Sequence, residues 1–99
     1  MMRTWSGVIR SADREAYREY IELTGLPGYK STPGNIDAWL VLRDRQDGLT
    51  EVVMVSLWES RGAIVQFAGR DIDRAVFYPE DDKYLVDRDL RVLHYDVVA

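Results

Sequence analysis

The chain has 99 residues, with 13 Lys and Arg against 17 Asp and Glu, a net charge of -4, and no cysteine. The acidic balance argues against a nucleic-acid groove or an anionic membrane surface, so neither nucleic acid nor membrane is expected as a partner. Absence of cysteine removes disulfide frameworks, thiolate nucleophiles and sulfur-ligated metal sites.

Thr4 to Arg10 reads as a first strand, with Trp5 and Ile9 on one face, Val8 on the other, and Gly7 leaving room for a close neighbour. Ser11 is placed to cap a helix whose first turn holds Asp13 and Glu15 and whose apolar stripe is Ala16, Tyr17, Tyr20, Ile21 and Leu23. Gly25 and Pro27 predict its end, and residues 26–35, broken by Gly28, Pro33 and Gly34, predict a rim or lid loop. A second strand follows over 36–45, alternating Ile36, Ala38, Leu40 and Leu42 against Asp37, Trp39, Val41 and Arg43. The Asp47-Gly48 pair predicts a hairpin into a third strand.

That third strand, ending in Val52-Val53-Met54-Val55-Ser56-Leu57-Trp58, is apolar on both alternating sets, which predicts cover on both sides. Ser60 and Gly69 bracket the next helix, which carries Ala63, Ile64, Phe67 and Ala68. Asp71 predicts another short helix with Ile72, Ala75 and Val76. Pro79-Glu80-Asp81-Asp82 predicts a helix start leading to Tyr84, Leu85 and Val86, and residues 91–98 predict the last strand.

The order strand, helix, strand, strand, helices, strand predicts an α+β class: a ferredoxin-like βαββαβ antiparallel sheet with helices on one face, spanning residues 1–99 as one domain. The uncovered sheet face predicts a homodimer packed sheet to sheet, a dimeric α/β barrel. The N-terminal residues lack the apolar core of a signal peptide, and no run approaches the ~18 apolar residues of a membrane span, so a cytoplasmic location is expected.

The third strand's end, Leu57-Trp58-Glu59-Ser60, with Ala63-Ile64 and Phe67 after it, resembles the antibiotic biosynthesis monooxygenase domain, and the order of elements matches over essentially the whole chain. The resemblance implies a dimeric α/β barrel. It also implies cofactor-independent oxygenation of an aromatic or polyketide-like molecule, with no cofactor bound. The haem-degrading branch of that family carries a Trp where this chain has Phe67 and an iron-ligating His near Phe77. The segment contains no His, so haem degradation is set aside.

His94 is the single histidine and hence the one side chain that titrates near neutrality; it is the candidate base for forming an electron-rich phenolate, with Asp96 as a candidate orienting group. A packed structural histidine is the plainer alternative. Trp39, Trp58, Phe67, Phe77 and Tyr78, with Trp5, are candidates to line a flat pocket for an aromatic ligand, and equally candidates for core and dimer interface. Phe67 and Phe77 are the favoured pocket residues, and Trp58 the structural one. Arg43 and Tyr29 are weaker candidates for a phenol-binding cation and proton donor. The acids at 81–82 and at 87 and 89 match no metal loop, so no metal is expected. An isomerase or cyclase in the same cavity, or a non-catalytic binding or assembly module, stays open beside the oxygenase.

Overall fold

The computed structural model describes residues 1–99. Its frame is one antiparallel sheet built from β1 (Met2–Arg10), β2 (Asn35–Asp44), β3 (Leu49–Trp58), β4 (Leu85–Arg88) and β5 (Leu93–Tyr95). β1 lies at the centre, paired to β3 on one side and to β4 and β5 on the other, and β2 extends the β3 edge. Between the strands run α1 (Arg14–Leu23), α2 (Gly25–Ser31), α3 (Arg61–Ala68) and α4 (Asp81–Tyr84). No helix is long and apolar enough to cross a membrane.

Strand alternation sorts the two faces. On the helix side β1 presents Arg3, Trp5, Gly7 and Ile9, whose partners on β3 are Ser56, Met54, Val52 and Thr50. All of these are buried, and so is Trp58 one step beyond. Fully burying an apolar side chain of this size contributes about 1.5–3 kcal/mol, so Ile9, Val52, Met54, Trp58 and Ile64 each add on that order to the driving force. Tyr17, Tyr20 and Ile21 of α1 close over them, whereas Leu23, the last residue of the expected stripe, is 80% exposed.

The other face carries Val53, Val55 and Leu57 on β3, flanked by Trp39 and Val41 on β2 through the pairs Trp39↔Val55 and Val41↔Val53. Leu93 and Tyr95 of β5 lie on the same face, opposite Thr4 and Met2 of β1. Trp39, Val41, Leu93 and Tyr95 are each more than 40% exposed, which is the uncovered apolar sheet that the two-sided β3 pattern predicts.

Local signals explain the junctions. The chain turns from β2 to β3 through residues 45–48, where Gly48 takes φ +80°, a backbone that L side chains rarely adopt. Ser60 caps α3 by accepting from the Ala63 N–H at 3.2 Å, as its position before the apolar stripe predicts.

Four elements differ from expectation. Residues 25–31, expected as loop after Gly25, form α2. Pro27 sits in its first turn, where a missing N–H costs nothing, and buried Tyr29 holds the helix against the core. The expected helix at Asp71 is absent. Residues 71–75 instead run alongside 90–92, joined by Val92 N–H to Asp73 O at 2.7 Å and Ala75 N–H to Leu90 O at 3.0 Å. The helix expected from Pro79 through Val86 is the four-residue α4, because Leu85 and Val86 enter β4. The last strand, expected at 91–98, is shortened to β5 at 93–95, an additional strand β4 precedes it at 85–88, and the connection between the two is turned toward the 71–75 segment.

Candidate functional site

Between the helix-side face of the sheet, α1, α2 and the irregular segment 76–78 lies a cavity of about 20 Å³. That is room for roughly one water. Its walls come from Trp5 and Met54 on the sheet, Tyr17 and Ile21 on α1, Tyr29 on α2, and Val76, Phe77 and Tyr78 on the covering segment, with Arg3, Asp81 and Val92 completing it. Phe77 meets Trp5 edge to face at 6.1 Å between centroids and is 36% exposed, so one aromatic side chain spans cavity and solvent. The Arg88 guanidinium carbon lies over that ring, 4.9 Å from its centroid. Tyr78 reaches the helix because residue 28 is glycine: a Cβ there would stand 2.5 Å from the Tyr78 hydroxyl.

Arg3 is the unusual group. Its side chain enters the core from β1 and the residue is 1% exposed. It hydrogen-bonds to no carboxylate: Nη1 donates to the Ile72 carbonyl, Nη2 donates to the Arg74 carbonyl at 3.1 Å, and Nη1 also contacts His94 Nε2 at 3.1 Å. Arginine has only donors, so this contact makes Nε2 the acceptor and leaves the proton on Nδ1, which faces the Asp73 carboxylate at 3.1 Å. Arg3 Nε is buried with no partner. An unmet buried donor costs about 1–3 kcal/mol, more on a charged group. Burial lowers the Arg3 pKa against the opposing pull of Tyr29 and Asp73, and guanidinium stays a cation.

The tyrosines around it stay protonated. Burial pushes Tyr29 up to about 12, with the Arg3 charge pulling the other way. Burial, then the Asp81 carboxylate, raise both Tyr17 and Tyr78. Burial and a hydrogen bond to Asp81 bring Tyr20 to about 12. At neutral pH this wall therefore offers O–H donors, one cation and the Asp81 carboxylate, whose two oxygens are taken by Tyr20 and Tyr78, and no phenolate base.

Asp81, 5% exposed, ties the covering segment to α1: Oδ1 accepts from the Tyr20 hydroxyl at 2.9 Å and Oδ2 from the Tyr78 backbone N–H at 2.7 Å. Asp81→Ala leaves both donors without their acceptor and is expected to cost about 2–4 kcal/mol in urea denaturation. Asp81→Asn, which keeps one acceptor oxygen, is expected to lose less, and equal losses would show that the carboxylate is not what fastens the segment.

The predicted site residues separate into five places. Phe77 and Tyr78 are in the cavity wall. Phe67 and Trp58 lie one layer behind it, packed on Tyr29 with centroids 4.3 and 6.2 Å away. Trp39 is on the opposite face of the sheet, beside Val55. His94 stands behind Arg3, and its carboxylate partner is Asp73 rather than the expected Asp96, because residues 71–75 fold back beside β5. Arg43 pairs with Glu51 at the exposed end of the β2–β3 hairpin, away from the cavity. Arg3, Tyr17 and Asp81 were not expected as site residues. Only Arg3 had a sequence signal, its even spacing from Trp5 and Ile9, which places it on the inner face.

No protein-family model matches the chain, and no curated protein does. Among solved structures, a Bacillus cereus protein described as a candidate antibiotic biosynthesis monooxygenase superposes with a TM-score of 0.68 over 99% of this chain and 94% of its own, at 17% identity. The resemblance read from Leu57-Trp58-Glu59-Ser60 is met there at the level of the fold, a ferredoxin-like antiparallel sheet with helices on one side.

Proposed function

We propose that this protein binds a flat aromatic or polyketide-like molecule in the helix-side cavity and oxygenates it with molecular oxygen, without a cofactor. The observation that carries the reading is the wall of Trp5, Tyr17, Tyr29, Phe77 and Tyr78 closing on a single point of the sheet. Its support from comparison is the shared fold with a protein described as a candidate monooxygenase. Fold alone does not assign a reaction.

The reaction balances without an outside reductant. An activated ring methylene gives its proton to water, the resulting carbanion passes one electron to O₂, and the radical pair joins as a peroxide on carbon that takes a proton back. Loss of water then leaves a carbonyl, so CH₂ and O₂ become C=O and H₂O. The protein's part is to exclude bulk water and hold the electron-rich anion beside donors that do not themselves ionise. Ligand entry requires Phe77 to swing outward, since the closed cavity has room for roughly one water.

That small volume favours a second reading, a non-catalytic assembly module in which the cavity stays closed. An oxygen electrode separates the two. With an anthrone-type polycyclic phenol at neutral pH, uptake of one O₂ per quinone formed, at a rate proportional to protein, is the expected result. A rate equal to the buffer blank across a panel of such phenols would leave the assembly module as the better account.

A further inference from the structure

The geometry points to Arg3 as the anchor for an anionic oxygen on the ligand, so that the cavity selects aromatic carboxylates or phenolates over neutral aromatics, with His94 and Asp73 as positioning residues for the guanidinium. This rests on the aromatic-ligand reading of the cavity and adds the ligand's charge to it.

Three observations converge. Arg3 lines the cavity and is buried, yet none of its hydrogen bonds goes to a carboxylate, and Asp73, the carboxylate whose charge acts on it, is reached through His94. Its Nε–H has no acceptor, which is where an oxygen of a ligand in the cavity would be received. The far edge of the guanidinium is fixed at three points, the Ile72 and Arg74 carbonyls and His94 Nε2, so the charge is oriented before any ligand arrives. His94 thereby acts through Arg3: its Nε2 is occupied, and Asp73 holds the tautomer that keeps it an acceptor. The Tyr29 hydroxyl lies against Arg3 on the same cavity wall, its oxygen turned to the guanidinium.

The groups facing His94 are Arg3 from β1, Asp73 from the 71–75 segment and Arg61 from the start of α3. Burial and the two arginines pull its pKa below 6.5, and Asp73 opposes them. Protonation puts a second N–H against Arg3 Nη1 and removes that point of attachment, so the anchor weakens as pH falls below 6.5 and is intact above it.

The test is calorimetric titration of the full chain with 2-naphthoate and with 2-naphthamide, an uncharged ligand of nearly the same shape. Wild type at about pH 7.5, where His94 is neutral, is expected to prefer naphthoate by about tenfold or more. Arg3→Met is expected to bind both alike. His94→Gln, which keeps an acceptor near the Nε2 position, is expected to retain the preference without its pH dependence, and His94→Leu to lose it. Naphthoate affinity in the wild type, taken per ionised ligand, should decline as pH falls through the lowered His94 pKa. Equal binding of the two ligands by wild type, or a preference surviving in Arg3→Met, overturns the anchor and leaves the aromatic cavity standing. Binding of neither overturns both. If Arg3→Met does not fold, the wild-type ratio and the contrast between His94→Gln and His94→Leu decide the question by themselves.

Discussion

Trp58→Ala is expected to destabilise the protein by about 3–5 kcal/mol, the range for emptying a large aromatic site in a packed core. Trp58 is 1% exposed at the end of β3, and its indole Nε1–H donates to the buried Ser56 hydroxyl at 2.8 Å. Its ring packs against Phe67 at 5.4 Å and Tyr29 at 6.2 Å, so removal leaves two aromatic neighbours with a void on one side. Its backbone is held as well, through Trp58 N–H to Met1 O at 2.9 Å and the Met1 ammonium to Trp58 O at 3.0 Å, which restrains the site from collapsing to fill the space. Trp58→Phe, which refills most of the volume and loses the indole donor, is expected to cost about 1–2 kcal/mol. Urea denaturation at fixed protein concentration measures both. Trp39→Ala supplies the contrast, since that ring is 42% exposed on the opposite face and removing it opens no internal void. A loss below about 1 kcal/mol for Trp58→Ala would place the void outside the cooperative core.

This contrast between two tryptophans also shows what the sequence could and could not deliver. Strand periodicity assigns Trp58 and Met54 to one face and Val55 to the other, and the structure places them so. Periodicity cannot say which face receives the helices, and that decides whether Trp39 is a pocket residue or a surface one. The hairpin, the Ser60 cap and the strand order rest on local chemistry and were legible for that reason.

What was not legible depends on contacts distant in the chain. α2 contains Gly25, Pro27 and Gly28, a poor helical sequence; it forms because Tyr29 stacks on Phe67 and the Thr32 hydroxyl closes its end on the Gly28 carbonyl at 2.8 Å. The last strand starts only at residue 93 because residues 71–75 take up the backbone groups of 90–92. Spacing puts Arg3 on the inner face, but no local window shows what would hold a cation there. Its acceptors are the carbonyls of Ile72 and Arg74 and the ring of His94, about seventy and ninety positions away, and a carbonyl acceptor has no sequence signature. The cavity belongs to the same class, since its covering residues 76–78 have no regular structure to predict.

The second large effect is expected on assembly. Sedimentation of the wild type at micromolar concentration is expected to give twice the 11.5 kDa chain mass, and Val55→Lys to give the monomer. Val55 lies at the middle of the exposed sheet face, between Thr4 on β1 and Trp39 on β2, with Val53 and Leu57 two positions away on either side. An apolar face on a twisted sheet is matched in shape by a second copy of itself across a two-fold axis, and every contact is then made twice. A standard interface buries about 1,600 Å² in total and keeps its charges at the rim. Arg43 with Glu51 and Lys30 with Asp37 lie where such a rim would run, at the exposed ends of β2. A lysine at position 55 would put an unpaired ammonium at the centre of the interface once in each copy, and the two would approach each other across the axis. In one isolated chain the same lysine points into water, so the fold itself should be kept, with unchanged far-ultraviolet circular dichroism. Apparent stability separates the cases further: the wild type should gain stability with rising protein concentration, and the lysine variant should not. A wild type that sediments as a monomer at tens of micromolar would contradict the dimer, and the apolar face of β3 would then require another cover.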